Sequence, residues 1–210
     1  MQEIVETNMH PHLSLMEEIE RPGKIRLYRF KDHWPVAERR MAAILIADVV
    51  GYTGLMGADE AYTFDRYKTH RSELIDPKLA EFSARFVKST GDGFLAEFAS
   101  TLDAVSCALQ IQRKMAECDQ DVPINRRIVF RMGLSYGRII VEPEDIYGHE
   151  VNVAARLQTI APPGGLAISA KALEMIRGKI GLQLDDIGTQ QFRNMSRPVH
   201  VYTYWRPHCA

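Results

Sequence analysis

The sequence has few cysteines and no long apolar run. Its three cysteines, at positions 107, 118 and 209, form neither an even-numbered framework nor a CxxC pair, which excludes a disulfide-dense secreted fold. No stretch approaches the roughly 20 apolar residues that cross a bilayer. Glu3 and Glu6 occupy the positions where a secretory signal needs positive charge. We therefore expect a cytoplasmic protein that has free thiols and does not associate with membranes.

The sequence also lacks an excess of positive or of negative charge. The 26 lysines and arginines nearly balance the 27 aspartates and glutamates, for a formal net charge of -1. This balance argues against a protein that coats nucleic acid or an anionic membrane, although a local basic pocket remains compatible with it. The chain of 210 residues, 46% of them hydrophobic, is long enough for one domain with a full core.

The first 39 residues differ from the rest of the chain. They contain several proline and glycine turn signals and no sustained periodicity. The pattern predicts two helical turns at 13–20 and a short strand at 24–30. We predict an N-terminal accessory arm over residues 1–39, which could bind a regulator, and a single compact domain over residues 40–206.

From position 40 onward the hydrophobic pattern is regular. It predicts strands at 41–47, 85–89, 94–98, 128–136 and 138–141, the last two separated by a break at Gly137. It predicts helices at 59–82 (split by Pro77), after a Ser100 cap, at 151–160 and near 171–178, with one strand between the last two helices and strands near 183–187 and 199–205. This order predicts an α+β fold with a ferredoxin-like core, in which a mostly antiparallel sheet carries helices on its faces.

Two acidic residues stand where they could bind a metal-bound polyphosphate. Asp48 directly follows an apolar strand, and the glycine-containing turn after it can point backbone N–H groups at an anion. Asp92 lies at the tip of the predicted hairpin, so both carboxylates reach one end of the sheet if the strands are neighbours. Two carboxylates are the usual protein share of a Mg²⁺ site that also binds phosphates. For Asp48 alone, a structural turn with a helix-capping acid is an equally good interpretation.

Asn152 and Arg156 are four residues apart and therefore share one face of a predicted helix. Asparagine can orient a substrate through a hydrogen bond, and arginine offers a cationic fork for charge that develops on a phosphoryl group. Taken alone, the two residues are better interpreted as polar positions on an exposed helix face.

Four separated motifs occur in order: DVVGYT at 48–53, KSTGDG at 88–93, RMG at 131–133 and DIYGHEVNVAAR at 145–156. Together they resemble the catalytic domain of class III adenylyl and guanylyl cyclases, over about residues 40–205. The resemblance implies the class III cyclase fold and, among its members, a bacterial-type homodimeric adenylyl cyclase.

The resemblance also implies a role for each matching residue. Two Mg²⁺ (or Mn²⁺) ions would be bound by Asp48, Asp92 and the carbonyl of Val49. The substrate phosphates would be held by the backbone of Val50, Gly51, Tyr52 and Thr53 and by the side chains of Arg131 and Arg193. Arg193 stands where many relatives have lysine, which keeps the charge and changes the geometry. Asn152 would orient the ribose, and Arg156 would stabilise the transition state at the α-phosphate.

Lys88 and Asp145 match the positions that contact the base. Adenine presents an acceptor at N1 beside an exocyclic amino donor, and a lysine that only donates with an aspartate that only accepts suits that pattern. Guanine presents N1–H beside an O6 acceptor, which mismatches it. The resemblance further implies sites shared across a homodimer, with Asp92 and Lys88 of one chain serving opposite sites.

The implied reaction is attack of the ribose 3′-oxygen on the α-phosphorus of ATP, which gives 3′,5′-cyclic AMP and pyrophosphate. Two alternatives stay open: a guanylate cyclase with relaxed base choice, and a catalytically silent nucleotide-binding or dimerisation module. A third, a cyclic-dinucleotide synthase, is suggested by the TGDGF segment at 90–94, but that family has no counterpart of the 145–156 motif.

Overall fold

The computed structural model describes residues 16–19, 27–30 and 38–205 of the chain, which divides into two compact units, 1–37 and 38–210. In the first unit, strands β1 (Met16–Ile19) and β2 (Leu27–Phe30) form an antiparallel pair. The helical turns predicted at 13–20 are therefore wrong over residues 16–19, and the remainder of that segment lies outside the described residues. The strand predicted at 24–30 is present from Leu27 onward.

The second unit contains one eight-stranded sheet. Its strands are β3 (Glu38–Val49), β4 (Arg85–Ser89), β5 (Phe94–Phe98), β6 (Phe130–Val141), β7 (Ile146–Tyr147), β8 (Leu166–Ser169), β9 (Asp185–Gln190) and β10 (Val199–Tyr204). The order across the sheet is β4-β5-β3-β6-β8-β10-β9, with β7 paired to β6. Every pair is antiparallel except β6 with β8, which is parallel.

Six α-helices connect these strands: α1 (Tyr52–Ala58), α2 (Glu60–His70), α3 (Asp76–Glu81), α4 (Thr101–Cys118), α5 (His149–Ile160) and α6 (Ala170–Ile176). A π-helical turn at Arg71–Ile75 joins α2 to α3. Pro77 lies in the first turn of α3, where a missing N–H costs no helical hydrogen bond. The predicted kink or split at Pro77 is thus found as a change to π-helical hydrogen bonding directly before α3, and the backbone stays helical through Ile75 and Asp76. None of the helices in the described part of the chain is long and apolar enough to cross a membrane.

Helices cover both faces of the sheet, because β3 alternates between two cores. Ala43, Leu45 and Ala47 face the larger core together with side chains of α2, α3, α4 and α6, whereas Ala42 and Ile44 face α5. At the start of α4 the Ser100 side chain accepts a hydrogen bond from the Asp103 amide (3.2 Å), as the capping pattern predicts. The α+β prediction with a mostly antiparallel sheet is confirmed.

The prediction that Gly137 breaks a strand is wrong. Strand β6 runs through this residue, which pairs with Ala42 of β3 and is buried. A Cβ atom at this position would lie 2.6 Å from Cγ of Glu150 and 2.7 Å from Nζ of Lys171. Glycine is present here because two side chains from neighbouring helices fill the space above the strand.

Three further elements differ from the sequence pattern. Helix α1 and the two-residue strand β7 are not predicted, and β9 begins at Asp185 and extends to Gln190 rather than covering 183–187. Both unpredicted elements are too short for a periodic signal, since α1 has seven residues and β7 has two. Cys107 is buried and Cys118 exposed, both as free thiols, and Cys209 lies outside the described residues.

Candidate active site

The first group of predicted site residues lies at one end of β3. Asp48, the penultimate residue of this strand, is paired in register with Arg131 on β6. Their side chains form an ion pair with 3.9 Å between Nη2 and Oδ2. The polar neighbour that a partly buried carboxylate needs is thus supplied by the adjacent strand.

The turn that carries Asp92 packs directly against this strand end. Phe94, the first residue of β5, pairs with Ala47 of β3, and the Thr90 amide donates to the Gly93 carbonyl (3.1 Å) to close the turn. A Cβ atom on Gly93 would lie 1.9 Å from the carbonyl oxygen of Ala47. Only glycine permits this approach, and the approach brings Asp92 beside Asp48.

The surroundings of Asp48 disfavour its charged form. Burial, together with the adjacent Asp92 carboxyl, raises the pKa of Asp48 to about 6, against the opposing effects of Arg131 and of Gln158. Gln158 on α5 is buried and donates from Nε2 to Oδ2 of Asp48 (3.4 Å). Two neighbouring carboxylates whose negative charge is only partly balanced by Arg131 form an oxygen donor set that fits a hard divalent cation. Gln158 is missed by the sequence patterns, since only its place on the inward face of α5 connects it with Asp48.

The segment after β3 forms a tight turn into α1. The Val50 amide donates to the Val129 carbonyl (2.8 Å), and Gly51 adopts a left-handed φ of 65° that starts the helix. Tyr52 and Thr53 occupy the first two helical positions, whose N–H groups have no partner within a helix. The predicted phosphate-binding backbone therefore directly follows Asp48 and Val49, and the amides of Gly51, Tyr52 and Thr53 can donate to an anion. The prediction does not hold for the Val50 amide, because its hydrogen goes to the Val129 carbonyl of the neighbouring segment.

Lys88 and Asp145 form a second group. Although 57 positions apart, they are joined by an ion pair of 2.5 Å between Nζ and Oδ2. Partial burial raises the pKa of Asp145, but the bond from Lys88 and a 2.8 Å bond from the Ile146 amide outweigh it and hold the pKa below its usual value. Lys88 is half exposed. The pair thus offers a cationic donor and an anionic acceptor side by side at the surface.

Asn152 and Arg156 contact neither group. Both are exposed on α5, whose buried face carries Val153, Ala154, Leu157 and Gln158. Two helix positions separate Arg156 from Gln158, which places their side chains about 200° apart around the helix axis. Because Gln158 points at Asp48, Arg156 points away from the carboxylates of its own chain. Arg193 is exposed in the turn between β9 and β10, and none of the ion pairs found within residues 38–205 includes it.

One chain therefore carries three separate groups: the carboxylates with the turn after β3, the Lys88–Asp145 pair, and the exposed Asn152 and Arg156. Within residues 38–205, no cluster of three or more histidine, cysteine, aspartate or glutamate residues forms a metal-binding group. A divalent cation at the two carboxylates would complete its coordination with backbone, water and phosphate oxygens, as Mg²⁺ usually does.

Comparison with known proteins assigns the family. The sequence profile described as the adenylate and guanylate cyclase catalytic domain matches residues 35–205. A protein of Rhizobium meliloti named "Putative adenylate cyclase 3" is 43% identical over 169 residues, 80% of this chain and 29% of that protein. The "Adenylate cyclase" of Streptomyces coelicolor is 29% identical over 72% of this chain and 38% of its own length. The chain thus spans less than two fifths of each of these two relatives.

Solved structures agree with this match. An adenylate/guanylate cyclase/hydrolase from Silicibacter pomeroyi superposes with a TM-score of 0.76 at 41% identity, covering 80% of this chain and 98% of that one. The adenylyl cyclase CyaB from P. aeruginosa gives a TM-score of 0.69 at 20% identity, covering 83% and 99%, which shows a shared fold. The family match over residues 35–205 and these likenesses lead to one conclusion: the chain belongs to the adenylate and guanylate cyclase catalytic domain family.

Proposed function

We propose that this chain is an adenylate cyclase domain that converts ATP to 3′,5′-cyclic AMP and pyrophosphate at sites shared between two copies. The observation that carries the choice of ATP is the Lys88–Asp145 pair. One ammonium proton can donate to N1 of adenine while a carboxylate oxygen accepts from the 6-amino group. The names of the Rhizobium and Streptomyces relatives point in the same direction.

Asp48, Asp92 and the Val49 carbonyl would hold two divalent cations, Mg²⁺ or Mn²⁺. Bound cations would neutralise the polyphosphate and lower the pKa of the ribose 3′-hydroxyl. Arg131, which already pairs with Asp48, adds positive charge for the phosphates. The amides of Tyr52 and Thr53 and the side chain of Arg193 would contribute further donors to the same anion.

The remaining groups act on the reacting atoms. Asn152 would orient the ribose so that its 3′-oxygen lies in line with the bond from the α-phosphorus to the leaving oxygen. The new bond forms as that bond breaks, the 3′-hydroxyl proton passes to Asp48 or to water, and pyrophosphate departs. Arg156 would stabilise the charge that develops on the α-phosphoryl oxygens through its planar fork of donors.

The position of Asn152 and Arg156 on α5 supports a shared site. They point away from Asp48 of their own chain, and Ile160, one turn further along, leaves 37% of its surface exposed on the same side. An exposed stripe that combines two polar site residues with a large apolar residue suits an interface with a second copy. In a two-fold dimer each chain would contribute its carboxylates to one site and its α5 stripe to the other.

Turnover of both purine nucleotides tests the proposed substrate. We expect the purified chain to cyclise ATP in preference to GTP with Mg²⁺ or Mn²⁺. Lys88→Met should reduce that preference about tenfold, because N1 of the bound adenine loses its hydrogen-bond donor. Initial rates with each nucleotide, measured by chromatography of the products, provide the ratio. Lys114→Met, an exposed lysine of α4 that pairs with Glu117, is the matched control. A wild-type preference for GTP would contradict the assignment.

Repulsion between Asp48 and Asp92 predicts a stability effect in the metal-free protein. Because burial and, after it, the neighbouring Asp92 carboxyl raise the pKa of Asp48, the folded state loses stability relative to the unfolded state as pH rises from about 4 to about 6. We expect Asp92→Asn to raise the melting temperature by about 2 °C at pH 7.5 in a chelator, and by less at pH 5, where Asp48 is largely protonated.

Thermal melts monitored by circular dichroism at the two pH values give this comparison. Asp121→Asn, an exposed acid in the turn after α4, serves as the control and should leave the melting temperature unchanged. A lower melting temperature for Asp92→Asn at pH 7.5 would show that the two carboxylates do not repel each other.

A further inference from the structure

A buried carboxylate lies between two arginines on the α5 side of the sheet. The side chain of Glu97 on β5 is 5% exposed. It accepts from Arg40 through Nε (2.7 Å) and Nη2 (2.9 Å), and from Nη1 of Arg85 (3.2 Å). A carboxylate this deeply buried is tolerated when it is paired and hydrogen-bonded, so Glu97 holds both guanidinium groups in place.

Arg85 also reaches a different part of the fold. Its Nη2 donates to the carbonyl oxygens of Glu142 (2.8 Å) and Pro143 (3.1 Å), in the loop between β6 and β7. The Glu142 amide in turn donates to the Asp145 carbonyl (2.9 Å), which closes this loop into a turn. The position of Asp145 is therefore tied to the guanidinium of Arg85.

The same strand carries Lys88. A bulge between Phe86 and Lys88 shifts the register, so Arg85 pairs with Glu97 and Lys88 with Leu95. Glu97 and Leu95 are two residues apart on β5 and share a face, so the bulge places Arg85 and Lys88 on that face as well. One strand thus holds Lys88 directly and Asp145 through Arg85.

The relative placement of Lys88 and Asp145 matters because guanine presents a donor where adenine presents an acceptor, and an acceptor where adenine presents a donor. An acceptor at N1 and a donor at position 6 define adenine, whereas guanine has a donor at N1 and an acceptor at O6. A lysine and an aspartate that could move relative to each other would satisfy either base. Discrimination between the two bases therefore requires that the two side chains keep a fixed separation and order. The ion pair alone does not provide this, because it joins a flexible lysine to an aspartate in a loop.

We infer that Arg85, clamped by Glu97, is a positioning residue that sets the choice of base by fixing Asp145 relative to Lys88. The inference rests on the proposed function, since it assumes that these two side chains contact the base. It assigns to Arg85 no contact with the nucleotide. Loss of the Arg85 guanidinium should therefore affect the discrimination between bases more than it affects the rate constant of the chemical step.

Arg85→Met tests the inference, because methionine keeps much of the aliphatic stem and removes the donors. Glu97 retains its two bonds to Arg40, so the variant keeps a paired carboxylate in the core. We expect the ratio of kcat/KM for ATP to that for GTP to fall about tenfold, mainly through KM, with kcat for ATP changed less than about threefold. Arg85→Lys, which can keep one donor, should recover part of the ratio. Arg113→Met, an exposed arginine of α4, should leave the ratio unchanged.

Amide hydrogen exchange provides a readout that needs no activity. Exchange at Ile146 and Tyr147, which follow the tethered turn, should become faster in Arg85→Met and stay unchanged in Arg113→Met. An unchanged ratio, or equal losses with ATP and GTP, would overturn the inference. A wild-type chain without any preference for ATP would instead contradict the proposed function, and unchanged exchange in Arg85→Met would then also reject the tether between Arg85 and Asp145.

Discussion

Mixing two inactive variants, Asp92→Ala and Asn152→Ala, should restore about a quarter of the wild-type specific activity. After random exchange of subunits, about half of the dimers contain one chain of each kind, and each of these dimers has one intact site of two. The intact site takes its carboxylates from the Asn152→Ala chain and its α5 residues from the Asp92→Ala chain. Cyclic AMP formation before and after mixing, at a protein concentration above the dimer dissociation constant, gives the measurement.

The matched control uses two variants from the same group. Asp48→Ala mixed with Asp92→Ala should stay inactive, because the two carboxylates lie side by side in one chain and no mixed dimer has both in one site. Recovery in this control, or no recovery in the first mixture despite heterodimers detected by native mass spectrometry, would exclude the shared site. Dilution should also lower the specific activity of the wild-type chain, since a monomer contains no complete site.

Arg156→Ala should lower kcat by about 10³-fold, by analogy with the arginines that stabilise other phosphoryl-transfer transition states. KM for ATP should change less than about tenfold, because the proposed contact strengthens as charge develops on the α-phosphoryl group. Steady-state kinetics with ATP separate the two constants. Arg156 is exposed, so the substitution leaves the packing of α5 intact.

Two further variants sharpen this result. Arg156→Lys keeps the charge and loses the planar fork, so it should recover only part of the lost rate. Arg113→Ala, which removes an arginine that is also exposed on a helix, should keep full activity. If kcat stays within about threefold of the wild type in Arg156→Ala, the assigned role in the transition state is wrong.

Local sequence signals predicted most of the helices and strands of the second unit. The apolar run before Asp48, the spacing in α4 and the cap at Ser100 each act within one element, so their outcome does not depend on distant residues. The resemblance assigned Lys88 and Asp145 to the base, and the structure joins these two side chains in an ion pair that no sequence pattern had predicted. The roles assigned to these and the other site residues remain predictions for the experiments described above.

Sequence signals failed where the neighbours of a residue decide its conformation. Glycine is a residue type that often interrupts strands, yet Gly137 stays in β6 because it pairs with β3 and two side chains fill the space above it. Residues 16–19 have a helix-compatible pattern, yet they pair with Leu27–Phe30 as a strand. In both places hydrogen bonds to a partner strand override the local preference.

The fold class, the family and the residue types available for chemistry could be read from contiguous segments, because motifs and periodicity are properties of such segments. Which of those residues meet depends on how the segments pack together. The register of β3, β5 and β6 brings Asp48 beside Asp92 and Arg131, and α5 turns Gln158 towards them while Arg156 points away. The tether from Glu97 through Arg85 to the turn before Asp145 joins residues up to 58 positions apart. Such contacts depend on strand pairing and helix orientation, and no spacing within a single segment encodes them.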